Sequence, residues 1–287
     1  MGSLSSDICF ALSRRMLRPP AQRVADPGAY DRWRQQHLAQ SWSAFSDAHI
    51  RGKDVLDFGC GDGQLALHLA GKGPRSITGV DLNEAAIERA RRSGGGAVEF
   101  LVGSTAGVPL ADASIDTITA FDCLEHVMTP TAIMRDWFRV LRPGGRVLLE
   151  WYPYRGPWGP HMESLIPIPW AHLLFGQRAM FRTAERIYDL PEFVPRHWDL
   201  DANGDKRPNK WRAWSLFREQ GYINELTVAE FRAIADDVGL RIDRFDARSF
   251  GGNALRRGIG AALMRLPLVG ECFMSFATIE LLKPAAD

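Results

Sequence analysis

The chain lacks an excess of charge of either sign. Its 35 basic residues stand against 34 acidic ones, a formal net charge of +1, so no bulk field draws it to nucleic acid, an anionic membrane or an acidic partner. No basic-aromatic stripe accompanies the predicted fourth strand, and a nucleic-acid partner is not expected. Lysine is scarce, at Lys53, Lys72, Lys206, Lys210 and Lys283 alone. The four cysteines, Cys9, Cys60, Cys123 and Cys272, are far apart, with neither CxxC spacing nor the density of a disulfide-stapled secreted domain. A reducing cytoplasm is the expected location. No apolar run approaches the roughly 18 residues of a membrane span. Asp7, Arg14, Arg15 and Arg18 interrupt the start of the chain where a secretory leader would be apolar. Core-forming residues are plentiful: 46% of the 287 residues are hydrophobic and 24% charged, the balance of a globular protein with a large core.

The pattern along the chain changes twice. Residues 1–50 hold no strand-like run, and YDRWRQQHLAQSWSAF, Tyr30 to Phe45, reads as an amphipathic helix with Trp33, Leu38 and Trp42 on one side. From residue 51 strands and helices alternate. KDVLDFG enters a glycine-rich turn before the helix QLALHLAGKG; SITGVDL precedes a helix with Asn83 as its N-cap; AVEFLVG follows a turn at Gly94 to Gly96; IDTITAFDCL is a fourth strand. Thr129 and Pro130 supply an N-cap and first helical position, and RPGG stops that helix before the fifth strand, RVLLEWY. Between Pro153 and Glu225 the alternation fails, and Trp158, Trp170, Trp198, Trp211 and Trp214 cluster there, with Trp151 at the edge. It resumes at Thr227, which has capping-box spacing to Glu230, with Gly239 as the stop and LRIDRFDA and SFATIELLK as two more strands. The expectation is one doubly wound α/β domain. A helical cap covers 1–50, the α/β core runs over 51–153, an insertion acting as a lid takes 154–225, and 226–287 completes the core.

The sharpest signal is VLDFGCGDG, in which Asp57, Gly59, Cys60, Gly61 and Gly63 close a strand and open a helix. Glycines permit a tight bend and close approach to a ligand, and a helix start offers unpaired N–H donors. A dinucleotide fingerprint needs its third glycine three positions after the second, but position 64 is Gln. The spacing therefore disfavours NAD. Asp81 ends the next strand, where a carboxylate can accept two hydrogen bonds from a ribose diol. Taken alone, Asp81 could be a simple helix cap.

Taken in order, these segments resemble the class I S-adenosylmethionine-dependent methyltransferases, from about Val55 to Glu150 and again from Thr227 to Lys283. VLDFGCGDG resembles the family's first motif and GVDLNEAAIERAR its second. LVGSTAGVPLADASIDTITAFDCLEHV resembles the third and fourth, and LRPGGRVLLE the strand that follows. The resemblance implies a Rossmann-like seven-stranded sheet, mostly parallel with an antiparallel last strand, and S-adenosyl-L-methionine as cofactor. It also implies that Asp57 and the glycine loop hold the methionine portion, Asp81 the ribose, Leu82 an adenine face, and Ser104 with Thr105 the adenine edge. The family often has Asp where this chain has Ser104. Asp122, at the end of the fourth strand, either contacts the methionine portion or caps the next segment.

Such a cofactor carries its methyl already activated, so the protein must chiefly align an acceptor and exclude water. For a hydroxyl acceptor a base near neutral pKa helps, and histidine is the usual choice. His126, in CLEHV, falls at the sheet's carboxyl edge, where α/β ligand crevices open; it either takes the proton or merely packs there. The insertion adds PYRGPWGPHMESLIPIPWAHLLFG, with His161 and His172 as further candidate bases and Trp158, Glu163 and Trp170 as candidate acceptor contacts. Aromatic walls suit a planar or apolar acceptor, although the tryptophans could instead form a satellite core. His161, Glu163 and His172 lack a compact ligand pair at helical spacing, and no metal is expected. The expected activity is methylation of a small apolar or aromatic metabolite, at oxygen before carbon. The alternatives are an NAD-dependent oxidoreductase and a non-catalytic S-adenosylmethionine-binding protein.

Overall fold

The computed structural model describes residues 2–19, 26–93, 96–105, 107–251 and 254–285; Gly94 and Gly95 of the expected turn lie outside them. The chain divides into two compact units. The first comprises 1–34, 153–225 and 249–275, the second 35–152, 226–248 and 276–287.

The second unit is built on a seven-stranded sheet: β1 (Asp54–Phe58), β2 (Ser76–Asp81), β3 (Glu99–Val102), β4 (Ile115–Phe121), β5 (Leu141–Trp151), β6 (Arg241–Ser249) and β7 (Met274–Leu282). Their order is β3-β2-β1-β4-β5-β7-β6. The first five strands pair in parallel, and β7 runs antiparallel to β5. The last strand in sequence is thus antiparallel, as expected, and slots between β5 and β6. Val55, Leu56 and Asp57 of β1 are all buried, as suits a central parallel strand covered on both faces. The order reverses between β1 and β4, the switch point at which α/β sheets open a ligand crevice beyond their carboxyl ends. Gly59 follows one of those ends and Asp122 the other.

Helix boundaries follow local chemistry closely. Asn83 Oδ1 accepts from Ala86 N at 3.1 Å, capping the helix Glu84–Ser93. Thr227 and Glu230 form a reciprocal capping box, with Glu230 Oε2 accepting from Thr227 N at 2.9 Å and Thr227 Oγ1 from Glu230 N at 3.2 Å. Gly239 ends that helix at φ 86, in the left-handed region glycine enters without penalty.

Three readings shift. The helix expected over Tyr30 to Phe45 runs Pro27–Trp42 instead; Leu38 and Trp42 are buried and Trp33 half-buried. Thr129 makes no side-chain cap bond, and Pro130 opens the helix Pro130–Val140 without one. Finally, RPGG lies inside β5 rather than before it. Leu141 pairs with Ile115 and Arg146 with Thr117, so the four residues between bulge out of the ladder, with Gly144 at φ 80. A strand can absorb such an excursion where a glycine takes the strained position.

The first unit is helical. The helices Gly2–Met16 and Gln177–Tyr188 contribute Cys9, Met180, Phe181, Ala184 and Ile187 to a buried cluster. Between 153 and 225 the described residues contain no strand beyond an isolated bridge, Leu200 to Lys206, in keeping with the loss of alternation in the sequence.

Candidate functional site

Val80 O fastens the glycine loop to β2, accepting from Gly59 N at 2.8 Å and Cys60 N at 3.1 Å. The loop glycines then play different parts. Gly59, at φ 72, has Cys123 Sγ only 2.2 Å from where a Cβ would stand. Gly63, at φ 78, has Phe100 Cζ at 2.5 Å from that point. Both are closed against the protein. A Cβ on Gly61, at φ 53, would meet nothing within 4 Å, so the backbone there is open to a ligand. The Asp81 carboxylate ties the loop down, accepting from Gly61 N on Oδ2 and from Asn83 N on Oδ1, both at 2.8 Å. Each oxygen accepts only one of these bonds, which leaves lone-pair capacity for a diol. Leu82 is 59% exposed at the end of β2, an apolar surface placed where a flat ring can lie. Ser104 and Thr105 are exposed beyond β3, and the Ser104 hydroxyl donates to Gly107 O at 3.4 Å. These residues fit a single nucleoside with an apolar base contact.

Beneath the loop, Asp57 is 1% exposed and its Oδ1 accepts from the Thr119 hydroxyl at 2.8 Å. Cys60 and Cys123 flank it, and for each, burial pushes the thiol pKa up, with neighbouring carboxylates adding to the effect. Neither is activated as a thiolate.

At the carboxyl end of β4 the chain turns sharply. Asp122 takes φ 55, a strained conformation for a residue with a side chain, and its N–H donates to Glu150 O at 3.2 Å. A short 3-10 turn, Leu124–His126, follows. Asp122, Glu125 and His126 each offer a ligand-type atom, and these lie within 4.8 Å of one another. Glu125 is 1% exposed; burial foremost, then the Asp122 charge, pushes its pKa well up. The pair can therefore share a proton, and with His126 it could also hold a cation. Glu150, 2% exposed, lies 3.8 Å from His37 Nε2 and accepts from the Tyr152 hydroxyl at 3.4 Å. Sequence reasoning singled out Asp122 and His126 but missed Glu125, Glu150, His37 and Tyr152. The acid inside LEHV was the one available signal.

The remaining candidates belong to the first unit. Trp158 is 39% exposed. Trp170 is half-buried at φ 57, with its indole N–H donating to Cys272 O at 2.6 Å and its ring packed edge-on against Phe250. Glu163 pairs with Arg196 at 2.6 Å. His161 is half-buried at φ 55. His172 is buried, 4.9 Å from the Tyr154 ring, and burial lowers its pKa to about 4. Trp211 is buried in the unit's core with Trp214 against it, so part of the tryptophan set does form a satellite core.

Comparison with known proteins bears on the sheet unit first. Residues 56–149 match the model of a methyltransferase domain. That stretch carries the loop, Asp81 and the Asp122–His126 turn. Over that stretch the chain is similar to methyltransferase domains. An uncharacterized methyltransferase of Mycobacterium ulcerans is 34% identical over 150 residues, which are 52% of this chain and 56% of that protein. A ubiquinone biosynthesis O-methyltransferase of Pseudomonas aeruginosa is 36% identical over 107 residues, covering 36% of this chain and 46% of that protein. The chain thus spans about half the length of the curated relatives it matches. The S-adenosylmethionine-dependent methyltransferase of Mesorhizobium loti shares the fold with a TM-score of 0.51 at 17% identity, over 85% of this chain and 96% of that one. A putative methyltransferase of Haloferax volcanii, solved in complex with the Trm112 activator, gives 0.52 at 16%, over 90% and 97%. The matched residues 56–149 all lie in the sheet unit, and the tryptophan-rich insertion falls outside them.

Proposed function

We propose that the chain transfers the methyl group of S-adenosylmethionine to a small apolar or aromatic acceptor, at a hydroxyl oxygen in preference to carbon. The observation that carries the reading is the open backbone at Gly61, held by Asp81 beside the exposed Leu82. When bound, the cofactor supplies a methyl already activated on its sulfonium. Asp81 would hold the ribose hydroxyls, Leu82 an adenine face, Ser104 and Thr105 the adenine edge, and Asp57 with the 59–63 loop the methionine portion. The dinucleotide alternative is disfavoured by Gln64, which stands where that fingerprint has its third glycine, the one that allows close helix–strand packing.

His126, half-buried at the carboxyl edge of the sheet, is the proposed group that removes the acceptor's proton, with His161 as the candidate from the insertion. Burial pushes Glu125 towards its protonated form, which disfavours it as that base. His172, with its pKa lowered to about 4, acts as a neutral hydrogen-bonding group. Trp158, Glu163 and Trp170 are the proposed acceptor contacts, and the 154–225 insertion the proposed lid.

Turnover tests the reading, with release of S-adenosylhomocysteine followed over a panel of phenols and apolar alcohols. His126→Ala or His161→Ala should lower kcat far more than it alters the Kd for S-adenosylhomocysteine, the signature of an interaction made mainly in the transition state. Near wild-type rates for both from pH 6 to 9 would end the base assignment and favour carbon or an already ionised oxygen. Cofactor binding without turnover across the panel would favour a non-catalytic binder.

A further inference from the structure

The first unit contains a cleft of about 840 Å³ at the start of the helix Gln177–Tyr188. Gly176, at φ 79, begins that twelve-residue helix and supplies no side-chain cap. A helix start of this kind points amide donors and the positive end of its dipole outward. Arg178 and Arg218 also line the cleft. Both are exposed, and neither enters an ion pair among the described residues. The lone acid in the lining, Glu225, is already engaged: its carboxylate accepts from Gln177 Nε2 at 2.6 Å. Gln177 in turn is braced by Phe217 N, which donates to its Oε1 at 2.9 Å.

A second observation comes from a different element. His172 lines the same cleft, is 5% exposed, and its Nε2 is buried with no hydrogen-bond partner among the described residues. The ring bonds to the Tyr154 backbone, and burial keeps it neutral at working pH. With the other nitrogen so engaged, Nε2 carries a lone pair and needs a donor, because a buried polar atom without a partner costs free energy. Phe175 and Leu216 give the cleft apolar surface.

We propose that this cleft is a binding site for a small hydroxy acid. The carboxylate would sit at the first-turn amides between Arg178 and Arg218, the hydroxyl would donate to His172 Nε2, and the apolar body would lie against Phe175 and Leu216. The ligand must carry both ends: the guanidinium and amide donors ask for an anion, and the neutral imidazole asks for a donor. The inference rests on the first unit alone and stands whether or not methyl transfer is found.

Calorimetry on the full chain tests it with 3-(4-hydroxyphenyl)propanoate, whose two ends match these demands. Saturable binding is expected, weakened at least tenfold for the neutral amide of the same molecule and about tenfold for 3-phenylpropanoate, which lacks the hydroxyl. Arg178→Ala combined with Arg218→Ala, both at exposed positions, should weaken the acid at least tenfold while leaving the Kd for S-adenosylhomocysteine unchanged. In the 15N spectrum the His172 Nε2 resonance should shift with the hydroxy acid but not with 3-phenylpropanoate. No binding by the acid, equal binding of acid and amide, or an Nε2 resonance indifferent to the hydroxyl would each overturn the proposal. So would displacement of the acid by inorganic phosphate at equal concentration, which would mark a generic anion site.

Discussion

Replacing Asp81 by Ala removes a carboxylate that accepts two backbone N–H bonds, from Gly61 and Asn83, each at 2.8 Å. Those bonds set the path of the glycine loop, and the same oxygens are the proposed acceptors for a ribose diol. Hydrogen bonds to a charged acceptor contribute about 1.5–3 kcal/mol each. Loss of even one such bond to the diol should therefore raise the Kd for S-adenosylhomocysteine about 10- to 150-fold, and loss of both by more. Asp81→Asn sharpens the test. It keeps the size, but one of its two ends becomes an NH₂ group that faces an N–H donor. One loop bond is lost whichever way the amide turns, so Asn should weaken binding as well and should not behave as an isostere. Calorimetry with S-adenosylhomocysteine reads both variants, with circular dichroism to confirm the fold. An unchanged Kd in folded Asp81→Ala and Asp81→Asn would place the ribose elsewhere and refute the reasoning.

Further outcomes follow from other positions. Gly59→Ala must hold a side chain at φ 72 with its Cβ 2.2 Å from Cys123 Sγ; strain and overpacking together should cost about 2–5 kcal/mol in urea unfolding, and wild-type stability would contradict the geometry. His172 has a folded pKa of about 4 against about 6.5 unfolded, so its contribution is full above pH 6.5 and is lost as pH falls towards 4. That loss amounts to about 3 kcal/mol. The slope of unfolding free energy with pH over that window should flatten in His172→Gln, and an unaltered slope would show that His172 titrates normally. Glu125→Gln replaces a carboxyl that burial pushes towards its protonated form, so its thermal midpoint at pH 7 should stay within a few degrees of wild type; a collapse would mean the carboxylate is charged. Hydrogen exchange of residues 154–225 should slow when cofactor and acceptor are both added if the segment is a lid, and identical exchange in every state would make it static.

What the sequence made legible was local. Seven strands could be read because central parallel strands carry apolar runs, as at Val55–Leu56 and Val147–Leu149, and because Asn83, Thr227 and Gly239 act through neighbours one turn away. The loop glycines and Asp81 were legible for the same reason. RPGG misled because the local chemistry of a turn was overridden by pairing: once Ile115 holds Leu141 and Thr117 holds Arg146, the intervening residues must bulge. Thr129 had the right type for a cap but not the bond. The acidic cluster was hidden because His37 and Glu150 are far apart in sequence and meet only in the fold. Nothing in PWAHLL announces that His172 is buried and neutral, since that depends on the surrounding core.

The three loop glycines point to different destinies for mutation. Gly59 and Gly63 face inward, so any side chain there is a question about folding. Gly61 faces outward with free space around it, and its φ of 53 is one that Asn tolerates. A side chain at 61 would enter the space offered to a ligand without disturbing the core. This makes position 61 a place where cofactor size could be tuned, for instance towards analogues trimmed to match, while the scaffold beneath goes on folding as before.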